Sequence, residues 1–169
     1  MSHNTAPLVV VMGVSGSGKT TVGRLLAQHL GVPYAEGDDF HPASNVAKMR
    51  AGHPLQDDDR HSWLERIAQW LAGHEDSGGV VACSALKRRY RDRLASAAPH
   101  VAFLHLDGSA ELIAARITAR QGHFMPPDLL RSQLADLEPL GDDEAGATIP
   151  IDGTPQQTAA LAHAAITSS

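Results

Sequence analysis

Continuous apolar runs alternate with segments of helical periodicity along this chain. Leu8–Met12 is uniformly apolar, whereas in the next segment Val22, Leu25, Leu26 and Leu30 recur at helical spacing. Similar pairs of an apolar run and an amphipathic segment follow to the end of the chain. This alternation predicts a parallel β-sheet with helices on both faces, which is a three-layer α/β/α sandwich.

Five parallel strands and seven helices are predicted, within a single domain over residues 8–169 that follows a flexible tail over residues 1–7. The predicted strands are Leu8–Met12, Tyr34–Glu36, Val80–Cys83, Val101–Leu106 and Ala147–Ile151. The predicted helices are about Lys19–Leu30, Asn45–Ala51, Asp57–Ala72, Lys87–Ala97, Ser109–Arg120, Asp128–Leu137 and Gln156–Ile166. Gly31 is expected to end the first helix, with Pro33 just beyond it.

A glycine-rich segment, GVSGSGKT, joins the first strand to the first helix. It matches the G-x-x-x-x-G-K-[ST] pattern in the strand–loop–helix context that this pattern requires. Glycines let successive N–H groups face phosphate oxygens, and the helix that follows adds the positive end of its dipole. Lys19 suits the β- and γ-phosphates, and Thr20 suits Mg²⁺. The residues predicted to bind a nucleoside triphosphate are Gly13, Val14, Ser15, Gly16, Ser17, Gly18, Lys19 and Thr20.

Composition narrows the possible partners. The chain has 169 residues, 43% of them hydrophobic, which is enough for one domain with a core. Its net charge of −5 gives no overall electrostatic basis for binding nucleic acid or an anionic membrane. One cysteine, Cys83, suits a reducing cytoplasm. We expect no signal peptide, no membrane-spanning helix and no structural metal.

Acidic residues follow the second strand in the segment GDDFHP. Asp38 and Asp39 are expected at the carboxyl end of that strand, where open parallel sheets bind their ligands. One carboxylate could lie in the water shell of Mg²⁺ and the other could orient an acceptor hydroxyl or accept its proton. The alternative is that this segment is turn chemistry alone.

Basic residues form a local patch in this acidic chain. Arg60 is expected on the core-facing side of its helix, where it would meet either a substrate anion or a structural carboxylate. Lys87 and Arg91 share a helix face after the third strand, and Arg50 belongs to the same patch. An anionic co-substrate would explain these cations.

Two further arginines, Arg116 and Arg120, share a helix face just before the interruption Gly122–Pro127. Arginines on a mobile segment can close over a triphosphate and neutralise the charge that develops during transfer. The alternative is a salt-bridged surface helix.

Taken together, these segments resemble those of the gluconokinases, small P-loop kinases related to shikimate and adenylate kinases. The resemblance runs from about Leu8 to Ile166. It is carried by GVSGSGKT, GDDFHPASNVAKMRAGHPLQDDDRHSWL, CSALKRRYRDRL and GHFMPPDLLRSQLADLEPL, in that order. The phosphate loop is common to many families, whereas the second and third segments are far more specific.

The resemblance implies transfer of the γ-phosphoryl group of ATP to the primary hydroxyl of D-gluconate, with Mg²⁺, in a cytoplasmic homodimer. It also implies an acceptor-binding helical excursion over about 42–72 and a lid over about 121–127. The residues it implies for the gluconate site are Asp38, Asp39, His41, Arg50, Arg60, Lys87 and Arg91. It assigns Lys19, Asp38 and Arg120 to catalysis, Thr20 and Asp38 to the metal, and Arg116, Arg120, Thr154 and Pro155 to the nucleotide.

Two departures and three alternatives remain. Thr20 stands where serine is common, and Cys83-Ser84 stands where many P-loop proteins end a strand in aspartate. Shikimate kinases carry glycines after the third strand, where this chain has Ser84–Lys87. A nucleoside monophosphate kinase would need a base pocket, and a nucleotide-dependent switch would need segments that sense the γ-phosphate. Neither feature is evident in the sequence.

Overall fold

The computed structural model describes residues 6–53, 55–119 and 127–167, and the elements within them follow the predicted alternation. The strands are β1 (Leu8–Met12), β2 (Tyr34–Glu36), β3 (Gly79–Ala82), β4 (Ala102–Asp107) and β5 (Gly146–Pro150). The helices are α1 (Lys19–Leu30), α2 (Ala43–Arg50), α3 (Asp57–Gly73), α4 (Arg88–Ala97), α5 (Ala110–Ala119), α6 (Pro127–Asp136) and α7 (Pro155–Thr167). A 3-10 turn, Gly37–Phe40, joins β2 to α2.

All five strands are parallel and lie in the order β2-β3-β1-β4-β5. Strand β1 is therefore central, with Val9 opposite Val80 of β3 on one side and Ala102 of β4 on the other. The predicted three-layer sandwich with a five-stranded parallel sheet is confirmed. Because β3 separates β2 from β1, the acidic turn after β2 and the loop after β1 are one strand apart at the same edge.

Both faces of the sheet are buried, as continuous apolar strands require. Successive side chains of β1 point to opposite faces, so Val10 packs in a cluster with Leu94 of α4. Val11 packs in the other cluster with Leu26 of α1 and Ala162 of α7. The two helical layers hold the carboxyl edge of the sheet rigidly, and the loops at that edge carry the candidate site.

The excursion after β2 consists of α2 and α3, which polar contacts hold together. The Asp59 carboxylate accepts a hydrogen bond from the Gln56 N–H at 2.8 Å, which caps α3. It also forms an ion pair with Lys48 of α2 at 2.7 Å. Asn45 of α2 is buried and donates to the Asp59 carbonyl at 2.8 Å. These contacts fix the two helices relative to the acidic turn.

The start of the described chain is held against β3. Gly79 N–H donates to the Pro7 carbonyl at 3.1 Å, which bonds Pro7 to the first residue of β3. Among the helices within the described ranges, none combines the length and the apolar character needed to cross a membrane.

Candidate active site

The loop between β1 and α1 closes on itself through Ser17. The Ser17 hydroxyl donates to the Val14 carbonyl at 2.7 Å, and the Ser17 N–H contacts the same oxygen at 3.2 Å. Gly16 has φ +85°, and a Cβ there would lie 2.5 Å from the Ile117 side chain of α5. Gly18, which precedes α1, is left-handed with φ +93°. This backbone path is open to glycine and leaves the start of α1 exposed to a phosphate.

The Lys19 side chain turns back over the same loop. Its ammonium group donates to the carbonyl oxygens of Gly13, at 2.9 Å, and Val14, at 3.1 Å. These contacts hold the positive charge beside the loop, where phosphate oxygens would bind.

A carboxylate that the sequence analysis did not select lies next to the loop. The Thr20 hydroxyl donates to Glu36 at 2.7 Å, and the Tyr34 hydroxyl donates to the same oxygen at 2.7 Å. Burial and the Glu36 carboxylate together raise the pKa of Tyr34 above its ordinary value, so it remains a donor. Glu36 is the last residue of β2, and its position at a strand's carboxyl end was the signal that could have identified it.

A cleft of about 300 Å³ opens beside the glycine loop, at the side of α5 and α7. Arg116 and Pro155 line this cleft together with Gly16 and Gly18. The Arg116 guanidinium donates to the Ile151 carbonyl and to the Gly153 carbonyl, the latter at 3.1 Å. Arg116 therefore links the helix before the proposed lid to the turn before α7.

Thr154 and Gln157 fix the beginning of α7 by a reciprocal pair of hydrogen bonds. The Gln157 N–H donates to the Thr154 hydroxyl at 3.1 Å, and the Thr154 N–H donates to the Gln157 side-chain oxygen at 2.8 Å. Pro155 occupies the first helical position, which favours its fixed φ. These contacts fix the turn at the edge of the cleft. That the turn contacts the nucleotide remains a prediction.

A tryptophan of α3 forms a hydrogen bond to the backbone of the acidic turn. Trp63 Nε1 of α3 donates to the Gly37 carbonyl at 2.7 Å, and a Cβ on Gly37 would lie 2.3 Å from the Ala82 carbonyl of β3. This packing fixes the backbone of the turn, whereas Asp38 and Asp39 are themselves exposed. Both carboxylates are available to a ligand at the carboxyl edge of the sheet.

His41 is oriented by stacking and by one hydrogen bond. Its ring stacks on Trp63 with centroids 4.8 Å apart and an interplanar angle of 6°. The Asn45 side-chain amide contacts His41 Nδ1 at 3.2 Å, which assigns Nδ1 as acceptor and leaves Nε2 as the donor. Burial lowers the pKa of His41, the Asp38 carboxylate opposes this effect, and Arg60 adds to it. The ring is therefore a neutral donor near Asp38 at pH 7.

A second pocket, of about 120 Å³, lies between α3, the start of α4 and α6. The predicted residues Arg60 and Lys87 both line it. Its other described lining residues are Trp63, Ser84, Leu86, Tyr90, Ser132, Gln133 and Asp136. Arg60 lies 3.4 Å from the Tyr90 hydroxyl and 4.0 Å from the Asp57 carboxylate. The pocket combines two cations and one carboxylate, Asp136, with hydroxyl and amide groups, a set that suits a small hydroxylated anion.

Two predicted members of the basic patch lie elsewhere. The Arg91 side chain is fully buried, and its guanidinium donates to Glu144 at 2.8 Å and to the Ala85 carbonyl at 2.9 Å. The expectation that Arg91 lines the acceptor site is therefore wrong, because its charge is already paired inside the protein. Arg50 is exposed in the last turn of α2 and is not among the described residues that line the second pocket.

The remaining predictions concern Arg120 and the lid. Arg120 and residues 121–126 lie outside the described residues. Cys83, the residue after β3, is buried, and burial raises its pKa to about 12, so it is a small apolar side chain here rather than a nucleophile.

Comparison with known proteins identifies close relatives. The family profile described as shikimate kinase matches residues 15–160. A gluconokinase of Gluconobacter oxydans is 52% identical over 141 residues, which are 80% of this chain and 78% of that protein. The thermoresistant gluconokinase of Escherichia coli is 37% identical over 158 residues, which are 89% of this chain and 90% of that protein.

Solved structures agree with these relatives. The crystal structure of a gluconokinase from Sinorhizobium meliloti superposes with a TM-score of 0.90 at 42% identity, covering 97% of this chain and 93% of that one. A shikimate kinase from Acinetobacter baumannii superposes with a TM-score of 0.63 at 21% identity, covering 97% and 94% of the two chains. The second comparison shows a shared fold and nothing more.

Proposed function

The chain belongs to the gluconokinase family, and from that premise we propose that it transfers the γ-phosphoryl group of ATP to D-gluconate. The products would be 6-phospho-D-gluconate and ADP. The resemblance expected from the sequence is confirmed by relatives with up to 52% identity. The finer statement, that the primary hydroxyl is the acceptor, is our proposal.

One observation carries this proposal: the glycine loop lines a cleft together with Arg116, and it contacts Gln133, which lines a smaller pocket with Arg60 and Lys87. The cleft contains the loop glycines and suits the nucleotide. The pocket contains two cations, several neutral polar groups and one carboxylate, Asp136. The cations suit the carboxylate of gluconate, and the polar groups suit its hydroxyls. A kinase needs these two sites to meet at the transferred phosphoryl group.

The proposed step uses the residues around the loop. The gluconate hydroxyl oxygen attacks the γ-phosphorus, the bond from that phosphorus to the bridging oxygen of ADP breaks, and the hydroxyl proton passes to Asp38. Lys19 neutralises charge on the phosphates, and the N–H groups of residues 13–20 hold them. His41 and Asp39 would bind gluconate hydroxyls beside Asp38.

The residues at this edge fit Mg²⁺. The Thr20 hydroxyl lies 2.7 Å from the Glu36 carboxylate, and hard oxygen ligands of this kind are those that Mg²⁺ prefers. The described residues contain no group of three or more histidine, cysteine or acidic side chains able to hold a metal. Thr20 and Asp38, with Glu36 nearby, would therefore hold the ion together with the phosphates. When bound, Mg²⁺ supplies positive charge that stabilises the triphosphate.

The other predicted residues keep their proposed roles, with Arg91 removed. Arg60 and Lys87 would bind the gluconate carboxylate, and Arg50 would approach the same ligand from α2. Arg116 and Arg120 would neutralise the phosphates when the lid over about 121–127 closes. Thr154 and Pro155 would contact the adenine.

We also propose that the enzyme acts in the cytoplasm as a homodimer. Sedimentation velocity of the purified protein would test the oligomeric state.

The proposed activity is tested by measuring ADP production from Mg·ATP with gluconate, shikimate, glucose and AMP as separate acceptors. Turnover confined to gluconate is expected, because the second pocket places two cations among hydroxyl and amide groups that match a hydroxylated carboxylate. Turnover with shikimate or AMP and none with gluconate would overturn the assignment of the acceptor.

The role of Asp38 is tested with Asp38→Asn, which keeps the shape of the side chain and removes the proton acceptor. We expect kcat to fall by about 10²–10⁴-fold, the usual contribution of a general base. Asp142→Asn, at an exposed position between α6 and β5, is the matched control and should retain wild-type kcat. Wild-type turnover in a folded Asp38→Asn protein would exclude Asp38 as the proton acceptor.

A further inference from the structure

The side chain of Gln133, on α6, makes two hydrogen bonds to one residue of the glycine loop. The Ser15 N–H donates to Gln133 Oε1 at 2.7 Å, and Gln133 Nε2 donates to the Ser15 hydroxyl at 3.1 Å. The two residues are 118 positions apart in sequence. The N–H and the hydroxyl of Ser15 are thus matched by the carbonyl oxygen and the NH₂ group of one primary amide.

The same glutamine also lines the acceptor pocket, together with Arg60 and Lys87. The segment just beyond α6 is bonded to the same pocket, because Glu138 N–H donates at 2.7 Å to the carbonyl of Leu86, another lining residue. The carboxyl-terminal end of α6 therefore contacts both the acceptor pocket and the glycine loop. Gln133 is the point at which this helix meets the loop.

We propose that Gln133 is a positioning residue that fixes the glycine loop relative to the acceptor pocket. The proposal rests on the proposed function, since phosphoryl transfer requires the donor phosphate and the acceptor hydroxyl to be aligned. A misplacement of about 1 Å between such groups can cost about 10²-fold in rate. The uncharged amide suits this task, because it binds the loop without adding negative charge beside the phosphates.

Two residues of similar size, methionine and glutamate, each lack one feature that glutamine has at position 133. Methionine has a similar length but lacks an N–H and a carbonyl oxygen, so it would leave both groups of Ser15 unmatched. Glutamate can accept from the Ser15 N–H, yet its carboxylate would repel the phosphates. The two variants therefore test the hydrogen bonds and the absence of charge separately.

The first test compares the wild type with Gln133→Met in steady-state kinetics. We expect kcat to fall by about 10–100-fold while both KM values change by less than about threefold, because alignment acts in the transition state. Gln28→Met, the same replacement at an exposed position of α1, should leave kcat unchanged. A Gln133→Met kcat within about twofold of wild type would overturn the proposal.

A double-mutant cycle with Ser15→Ala tests whether Gln133 acts through Ser15. If it does, adding Ser15→Ala to Gln133→Met should reduce kcat by much less than Ser15→Ala does alone. Effects that simply multiply would mean that Gln133 does not act through the Ser15 hydroxyl, and that half of the proposed contact would be wrong. The assay uses whichever acceptor the wild type phosphorylates, so a failure with gluconate would overturn only the proposed function.

Two readouts do not depend on turnover. Amide hydrogen exchange at Ser15 should be at least about tenfold faster in Gln133→Met, since its N–H loses its acceptor. If that variant does not fold, Gln133→Glu serves instead, and it should bind a non-hydrolysable ATP analogue at least about tenfold more weakly. Unchanged exchange in the first variant, or unchanged analogue binding in the second, would contradict the proposal.

Discussion

At the scale of single residues, the Arg60 guanidinium has a positive charge that its neighbouring carboxylate compensates only weakly. Among the residues that the structure describes, its ion-pair partner is Asp57, at 4.0 Å. Asp57 pairs more closely with Arg89, at 2.8 Å, and accepts from the Tyr90 hydroxyl at 3.1 Å. A weakly compensated guanidinium that lines a pocket is well placed to bind a ligand carboxylate.

Arg60→Ala should therefore raise the KM for gluconate by about 10–100-fold, the value of one charge-assisted hydrogen bond of about 1.5–3 kcal/mol. The KM for ATP should change by less than about threefold, because the loop that binds the phosphates is separate from this pocket. Steady-state kinetics with each substrate varied in turn measures both values. Arg66→Ala, at an exposed position of the same helix, should leave both unchanged. An unaltered KM for gluconate in the Arg60 variant would assign this residue a structural role.

Glu36 gives a second prediction at this scale. Glu36→Gln keeps the size of the side chain but removes the charge that accepts hydrogen bonds from Thr20 and Tyr34. The Mg²⁺ concentration that gives half-maximal activity should rise at least about tenfold, since about 1.4 kcal/mol of charge interaction corresponds to that factor. A titration of activity with Mg²⁺ at saturating ATP measures the change. Glu111→Gln, on the exposed first turn of α5, provides the control, and an identical Mg²⁺ dependence of the Glu36 variant would remove Glu36 from the metal shell.

At the scale of elements, helix periodicity predicted the face on which a residue lies but not its partner. Lys87 and Arg91 were expected to share a face toward the cleft, and α4 begins at Arg88, directly after Lys87. Lys87 lines the pocket, whereas Arg91 turns inward to Glu144, which is 53 residues away in sequence. A spacing of four residues contains no information on such a distant carboxylate. The strand and helix predictions depended on local patterns and were therefore accurate.

The Arg91–Glu144 pair predicts a large loss of stability when one partner is removed. Glu144→Gln leaves the Arg91 charge buried without its counterion, which costs about 3–5 kcal/mol. In a domain of this size that loss lowers the midpoint of thermal unfolding by roughly 10 °C. Asp142→Asn removes the same charge from an exposed site and should change stability by less than about 0.5 kcal/mol. Equal midpoints for Glu144→Gln and the wild type would show that the pair contributes little.

The same pair predicts how this stability depends on pH. Burial opposes ionisation of Glu144, but the Arg91 guanidinium and the Gly141 N–H outweigh it and hold the pKa of Glu144 below its ordinary 4.5. Around that pH the unfolded chain therefore binds more protons, so the contribution is present above pH 4.5 and is lost as pH falls through the folded-state pKa. The free energies of unfolding of the wild type and Glu144→Gln should converge as pH is lowered from 7 through the folded-state pKa, which lies below 4.5. A difference that stays constant over this range would contradict the assignment.

At the scale of the whole molecule, the candidate site is assembled from parts that are distant in sequence. The glycine loop could be predicted because its chemistry lies within eight consecutive residues. The pairing of Ser15 with Gln133 and of Thr20 with Glu36 could not, because each depends on how the helices pack on the sheet. The edge position of β2 also follows from the strand order rather than from any local pattern. The sequence therefore predicted where the phosphate-binding loop lies, whereas the packing of the helices on the sheet determined which other side chains contact it.

This assembly predicts that ATP stabilises the whole domain rather than the loop alone. The cleft is lined by residues of α1, α5 and α7, so a nucleotide bound there contacts elements from both ends of the chain. A ligand at 100 times its Kd adds about 2.7 kcal/mol to the free energy of unfolding, which corresponds to a rise of roughly 5–10 °C in the midpoint. Thermal unfolding with Mg²⁺ and a non-hydrolysable ATP analogue measures this rise. Lys19→Ala should lose most of it, because its ammonium no longer compensates the phosphates, whereas Arg66→Ala should retain it. A rise of the same size in the Lys19 variant would mean that the analogue binds outside the glycine loop.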